Sequence, residues 1–174
     1  VQELTKQARF EEVVLPHLDA AYNLARWLTR DEQDAADVVQ EAYLRALKFF
    51  DGFHGGDSRA WLLAIVRNTG YTWLRQNRAL DLAVFDEELH SGGCEAFNPE
   101  RLLLQRADRQ LVRAALEELP VEFREVLVLR ELEGLSYKEI AAIAGLPLGT
   151  VMSRLARARQ RLEQALTRRL DKER

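Results

Sequence analysis

Between Gly149 and Arg161 the polar residues Thr150, Ser153, Arg154, Arg157 and Arg161 recur at the spacing of one helix face. Val151, Leu155, Ala158, Leu162 and Leu166 form an apolar stripe on the other side. Arginine can donate two hydrogen bonds to a guanine edge or grip phosphate, and a hydroxyl can do either. A core-facing stripe backed by these groups suits a helix laid in the major groove of duplex DNA. An ordinary amphipathic helix with solvated arginines explains the stripe alone equally well. What favours DNA is the run Arg154, Arg157, Arg159 and Arg161, with no acid from Met152 to Arg161, together with the punctuation ahead of it. Ser136 and Glu139 have the form of a capping box, Gly145 marks a tight turn, and Pro147 follows, so residues 136–162 read as a helix-turn-helix.

A second basic stretch has a different character. From Arg59 to Arg78 there are four arginines (Arg59, Arg67, Arg75, Arg78), no acid, and the aromatics Trp61, Tyr71 and Trp73. Positive charge tracks a phosphate backbone and aromatic faces stack on unpaired bases, which suits single-stranded DNA better than intact duplex. Trp61 shares an apolar run with Leu62, Ile65 and Val66 and is expected in the core, while Tyr71 and Trp73 stay open between core and stacking. Asp37, Gln40, Glu41 and Arg45 lie close together on the polar face of a helix over 34–49; such faces are ordinarily just wet.

Catalysis has little to stand on. His17, His54 and His90 are scattered, and no paired carboxylate or nucleophile–base signature stands out. His90 and Cys94 offer two ligands where a structural metal site normally needs four, so neither a metal nor another cofactor is expected, and the chain is read as a non-enzyme. Cys94 is the single cysteine, which excludes an internal disulfide and fits a reducing cytoplasm.

The elements that must position these groups are helical almost throughout. Helices are expected over 10–29, 34–49 and 59–78, with the glycine-rich loop Phe50–Ser58 before the last and Ser58 as its N-cap. Periodicity lapses between about 79 and 100, where acidic, glycine and Asn98-Pro99 signals read as a flexible linker. Beyond it, helices run from about Pro99 to Glu118, from Pro120 to near Gly134, over a short segment closed by Gly145, and from about Leu148 to Leu170. The fold class is therefore all-α: two small helical domains, 1–78 and 101–174, joined by an acidic linker over 79–100. The net charge of −3 hides an uneven distribution: −1 over 1–78, −6 over 79–100, −1 over 101–146 and +5 over 147–174. No run of 18 uncharged apolar residues exists, so no membrane insertion is expected.

Taken in this order, the motifs resemble an extracytoplasmic-function (ECF) sigma factor of bacterial RNA polymerase, of the sigma-70 superfamily, over nearly the whole chain. Residues 34–43 look like the family helix that docks on the clamp helices of the polymerase's largest subunit, which implies core contact for Asp37, Gln40 and Glu41. Residues 53–62 resemble the loop and helix start that capture a flipped base of the −10 element, and Asn68 matches an asparagine used at that site. The resemblance thus implies −10 contacts among Phe53, His54, Asp57, Ser58, Arg59, Asn68, Tyr71, Thr72 and Arg75. Residues 134–141 followed by 149–159 are similar to the family's −35 reader, which implies −35 contacts for Gly149, Thr150, Ser153, Arg154, Arg157 and Arg161. The acidic segment 80–100 sits where members have a linker threaded along the RNA path of the polymerase. Thr72 and Met152 depart from residues common in the family, an aspartate and a basic residue respectively, and both bear on the promoter sequence. Implied partners are the polymerase core, promoter DNA and an anti-sigma factor. A stand-alone helix-turn-helix regulator, binding its operator without polymerase, is the competing reading; the 34–49 and 59–78 helices argue against it.

Overall fold

The computed structural model describes residues 2–77 and 109–174. The linker reading, His90, Cys94, Arg78 and the start of the helix expected from Pro99 lie outside the described residues. All regular structure among the described residues is helical. The chain divides into two compact units, Val1–Leu80 with Lys138–Gly145, and Asp81–Tyr137 with Leu146–Arg174.

The first unit contains α1 (Gln2–Val14), α2 (Leu18–Thr29), α3 (Glu32–Phe49) and α4 (Ser58–Asn77). The single helix expected over 10–29 is broken by a 3-10 turn at Leu15–His17, where Pro16 cannot donate an interior helical hydrogen bond. Arg30 closes α2 in the left-handed region at φ 61°, and Asp31 caps α3, its carboxylate accepting the Asp34 N–H at 3.0 Å. The Thr29 hydroxyl donates back to the Ala25 carbonyl at 2.9 Å, tying the end of α2. The core is built from Leu24 and Leu28 of α2, Leu62, Leu63 and Val66 of α4, and a small-residue stripe on α3: Ala35, Val38, Ala42 and Ala46. Alanines let the α3 backbone approach its neighbours closely. Gly70 of α4 meets the same demand, since a Cβ there would lie 2.9 Å from Leu28 Cδ1 and 3.8 Å from Val38 Cγ1.

The second unit contains α5 (Arg109–Glu118), α6 (Val121–Leu127), continued by a π-helical segment Val128–Leu132, and α8 (Leu148–Lys172). Pro120 stands one residue outside α6 as its N-cap, at φ −51° and ψ 145°, rather than at the first helical position. Every residue from Val121 to Leu129 is buried, including Glu122, Arg124 and Glu125. The Arg124 guanidinium donates to the Leu119 carbonyl at 2.7 Å, satisfying an orphan acceptor at the end of α5. The apolar stripe of α8 is buried as the periodicity requires, with Val151, Leu155, Ala158, Leu162 and Leu166 all at or below 5% exposure. α7 (Tyr137–Ala144), which from Lys138 on belongs to the first unit, begins directly after Ser136, and this places Ser136 at the cap position and Glu139 three residues on. Gly145 follows at φ 67°, a conformation that suits glycine, and Pro147 caps α8.

Candidate nucleic-acid interface

The Phe50–Ser58 loop is built to hold a fixed shape. A 3-10 turn over Phe50–Gly52 leads into extended Phe53, and Gly55 and Gly56 turn the chain at φ 96° and 95°. The cap of α4 is Asp57, not Ser58: its Oδ1 accepts the Ala60 N–H at 3.1 Å and its carbonyl accepts the Trp61 N–H at 3.0 Å. The Ala60 amide holds the Asp57 carboxyl below the usual carboxylate range, with a side-chain hydrogen bond with Glu139 and then Arg59 adding to the effect. Ser58 is thereby released to pair with His17 Nε2 at 2.9 Å, which ties the start of α4 to the turn between α1 and α2. Beneath the loop, Phe53 and Trp61 pack with ring centroids 5.0 Å apart, and Phe50 lies 6.1 and 6.2 Å from them. Phe10 extends the cluster edge-on against Phe50 at 5.3 Å. These aromatics brace the loop from below.

On the outer surface His54 and Asp57 are exposed, and Ser58 and Arg59 are half-buried. Further along α4, Asn68, Thr72 and Arg75 share one face at helical spacing; Asn68 and Arg75 are exposed, and the Thr72 hydroxyl donates to the Asn68 carbonyl at 3.0 Å. Tyr71 departs from expectation. Its ring is 4% exposed and the Arg67 guanidinium lies over it, 3.8 Å from the centroid, so no face is open for a base to stack on. The sequence left Tyr71 open between core and stacking; what decides it is Arg67, four residues earlier on the same helix, lying over the ring.

α3 presents Asp37, Gln40 and Glu41 together in solvent, with Glu41 paired to Arg45 at 2.6 Å. Beside Gln40 runs a groove of about 820 Å³ whose lining includes Leu15, Leu18, Tyr22, Val39 and Leu44. Leu15, Leu18 and Leu44 are 48%, 37% and 61% exposed, so the polar face adjoins an apolar one. The sequence signal for it was Leu44, an apolar residue out of phase with the core stripe.

The arginines of α8 divide between inward and outward duties. Arg159 pairs with Glu131 at 3.0 Å, and Arg161, though exposed, has its guanidinium 4.7 Å from the Phe123 ring centroid. Both help fasten α8 to the helix that precedes it in this unit, so Arg161 is partly committed to packing. Arg154 is half-buried near the Glu122 carboxyl. Burial pushes that carboxyl up, and the Arg154 guanidinium only partly offsets it. Arg157 is half-buried and makes no hydrogen bond or ion pair among the described residues. Ser153 is exposed, its hydroxyl turned back to the Thr150 carbonyl at 3.1 Å, and a Cβ on Gly149 would meet nothing within 4 Å.

Comparison with known proteins decides what carries these surfaces. Residues 13–80 match the model of sigma-70 region 2, and residues 109–162 match that of sigma-70 region 4. The chain is 43% identical over 138 residues to the ECF RNA polymerase sigma-E factor of Escherichia coli, covering 75% of this chain and 72% of that protein. The chain belongs to the extracytoplasmic-function sigma factors. The ECF RNA polymerase sigma factor SigE of Mycolicibacterium smegmatis is 35% identical over 159 residues, which is 91% of this chain and 62% of that protein. Among solved structures, the sigma factor RpoE of Bartonella quintana, in complex with the anti-sigma factor NepR, matches with a TM-score of 0.69 and 31% identity over 91% of this chain and 97% of that one. CnrH, in complex with the cytosolic domain of CnrY, matches with a TM-score of 0.64 and 30% identity over 92% of this chain and 89% of that one. In this sigma factor, region 2 holds α2 to α4 and the loop Phe53–Asp57, and region 4 holds α5 to α7 and the first half of α8. No group of His, Cys, Asp and Glu suited to a metal ion occurs among the described residues, and no single helix there is long and apolar enough to cross a membrane.

Proposed function

We propose that this sigma factor joins bacterial RNA polymerase core through α3, captures the melted −10 strand with the Phe53–Asp57 loop and α4, and reads the −35 duplex with α8. The observation that carries the reading is that one chain pairs regions 2 and 4 and exposes part of each candidate surface: Asp37, Gln40 and Glu41 on α3, His54, Asn68 and Arg75 around the loop and α4, and Gly149 and Ser153 on α8. The domains are taken as 1–78 and 101–174, with 79–100 as the connection. Core binding is assigned to Asp37, Gln40 and Glu41, with the adjoining apolar groove giving buried area and the carboxylates orientation.

At the −10 element, His54, Asp57, Ser58 and Arg59 surround the loop tip and Asn68, Thr72 and Arg75 continue along α4, while Phe53 and Tyr71 are assigned to support. Extruding a base costs a few kcal/mol, which a rigid, pre-shaped loop repays without further ordering. At the −35 element, Thr150, Ser153, Arg154 and Arg157 supply base and phosphate contacts, Gly149 permits close approach, and Arg161 fastens the helix. The protein acts as a non-enzymatic DNA-binding subunit in the cytoplasm. Control by an anti-sigma factor is supported by the two solved relatives, one seen with NepR and the other with the cytosolic domain of CnrY.

The test is binding of the reconstituted polymerase complex to promoters carrying a matched or a scrambled −35 duplex. A preference for the matched duplex that depends on α8 supports the reading. Specific duplex binding by the chain alone, with no association with core, would instead make it a stand-alone regulator.

A further inference from the structure

The start of α8 exposes two apolar side chains on one edge. Met152 is 51% exposed and Leu148 is 42% exposed, and the i, i+4 spacing sets them one above the other. Single exposed apolar residues need no explanation, but an adjoining pair at the tip of a helix is a small patch that water solvates poorly. The residues beside it on α8 are Gly149, whose position has open space around it among the described residues, and exposed Ser153, so small side chains flank this edge. Arg157, five residues beyond Met152 on α8, makes no hydrogen bond or ion pair among the described residues, and the block 147–174 carries a net +5, so nucleic acid is the complementary partner for this helix. In a major groove only one base presents an apolar group, the C5-methyl of thymine.

We propose that Met152, supported by Leu148, is a specificity-determining residue that takes a thymine methyl group of the −35 duplex. The assignment rests on α8 being the −35 reader and goes beyond it by naming the base and the atom recognised. Met suits the role because its flexible, polarizable side chain fits an apolar target without demanding one geometry.

The experiment separates the two layers. A −35 element is first selected from random duplexes by the polymerase complex, and each thymine in it is then replaced by deoxyuridine, which removes only the methyl. Burying one methyl predicts that one or two positions weaken binding about three- to fivefold in the wild type. In Met152→Ala the same replacements should have no effect, while the unmodified duplex binds about as weakly as the deoxyuridine one does to wild type. Met152→Gln, similar in length but polar, should behave like the alanine variant. A selected element without thymine, or a deoxyuridine effect that persists undiminished in Met152→Ala, overturns the assignment to Met152 and leaves the −35 reading standing. Failure of the wild-type complex to prefer any −35 duplex overturns both.

Discussion

Replacing Gly149 by alanine should make this protein more stable and a poorer promoter reader. The residue stands second in α8, and neither its backbone nor its surroundings asks for glycine: its φ is not positive, and an added Cβ meets nothing within 4 Å. Glycine in a helix costs roughly 0.5–1 kcal/mol relative to alanine, an upper bound this close to the terminus. No contact among the described residues offsets that cost, whereas close approach to DNA would. If the helix tip lies against the groove, a methyl at Gly149 displaces it and weakens neighbouring base contacts worth about 1–3 kcal/mol each, a loss of roughly tenfold or more on a matched −35 duplex. The assay pairs a thermal melt with titration of the polymerase complex on matched and scrambled duplexes. Binding by Gly149→Ala as tight and as selective as wild type would refute the close approach. A fall in melting temperature would refute the claim that the space is free.

Four further substitutions test separate contacts. Arg157→Ala should weaken DNA binding by about 1–3 kcal/mol if it contacts a base, with the melting temperature barely changed, whereas Arg159→Ala should lower stability by about 1 kcal/mol through the lost Glu131 pair; binding isotherms and calorimetry on both variants distinguish them. Glu122 has its carboxyl pushed up by burial, so its favourable protonated form contributes most below the ordinary carboxylate range and that contribution is lost as pH rises through the raised folded value. Glu122→Gln should therefore flatten stability against pH just above that range and match or exceed wild type at neutrality; equal pH profiles for the two proteins would contradict this. Gly70→Ala gains helix propensity but forces a Cβ to within 2.9 Å of Cδ1 of the fully buried Leu28, and should on balance destabilise the first unit by about 1 kcal/mol, read as a lower denaturation midpoint.

The sequence made helices and their faces legible where one period governs a long segment. The stripe from Val151 to Leu166 is buried to a residue because a 25-residue helix has one way to hide it. Features set by tertiary contact were not legible. Asp57 and Ser58 are neighbouring residues of equal capping competence, and only the His17 partner of Ser58 decides between them. Pro16 breaks the first expected helix without shifting the apolar phase, so periodicity passes over it. Glu122, Arg124 and Glu125 are charged yet buried, which no periodicity announces: carbonyls at the end of α5 accept from Arg124, and the Arg154 charge lies near Glu122. The arginines of α8 look equivalent in the sequence, and Glu131 and Phe123 take two of them for packing. Likewise Tyr71 and its neighbour Arg67 satisfy each other, which removes the ring from the candidate interface.

The most direct test of the central claim is run-off transcription by purified bacterial core polymerase on a library of candidate promoters, with and without this protein, and with a variant carrying Asp37→Ala and Gln40→Ala. Transcripts should depend on the protein, start downstream of a shared −35 and −10 pair, and fall sharply with the variant although its fold is unchanged. Absence of any protein-dependent transcript despite stable association with core would contradict it, as would full activity of the variant for the face assigned to α3.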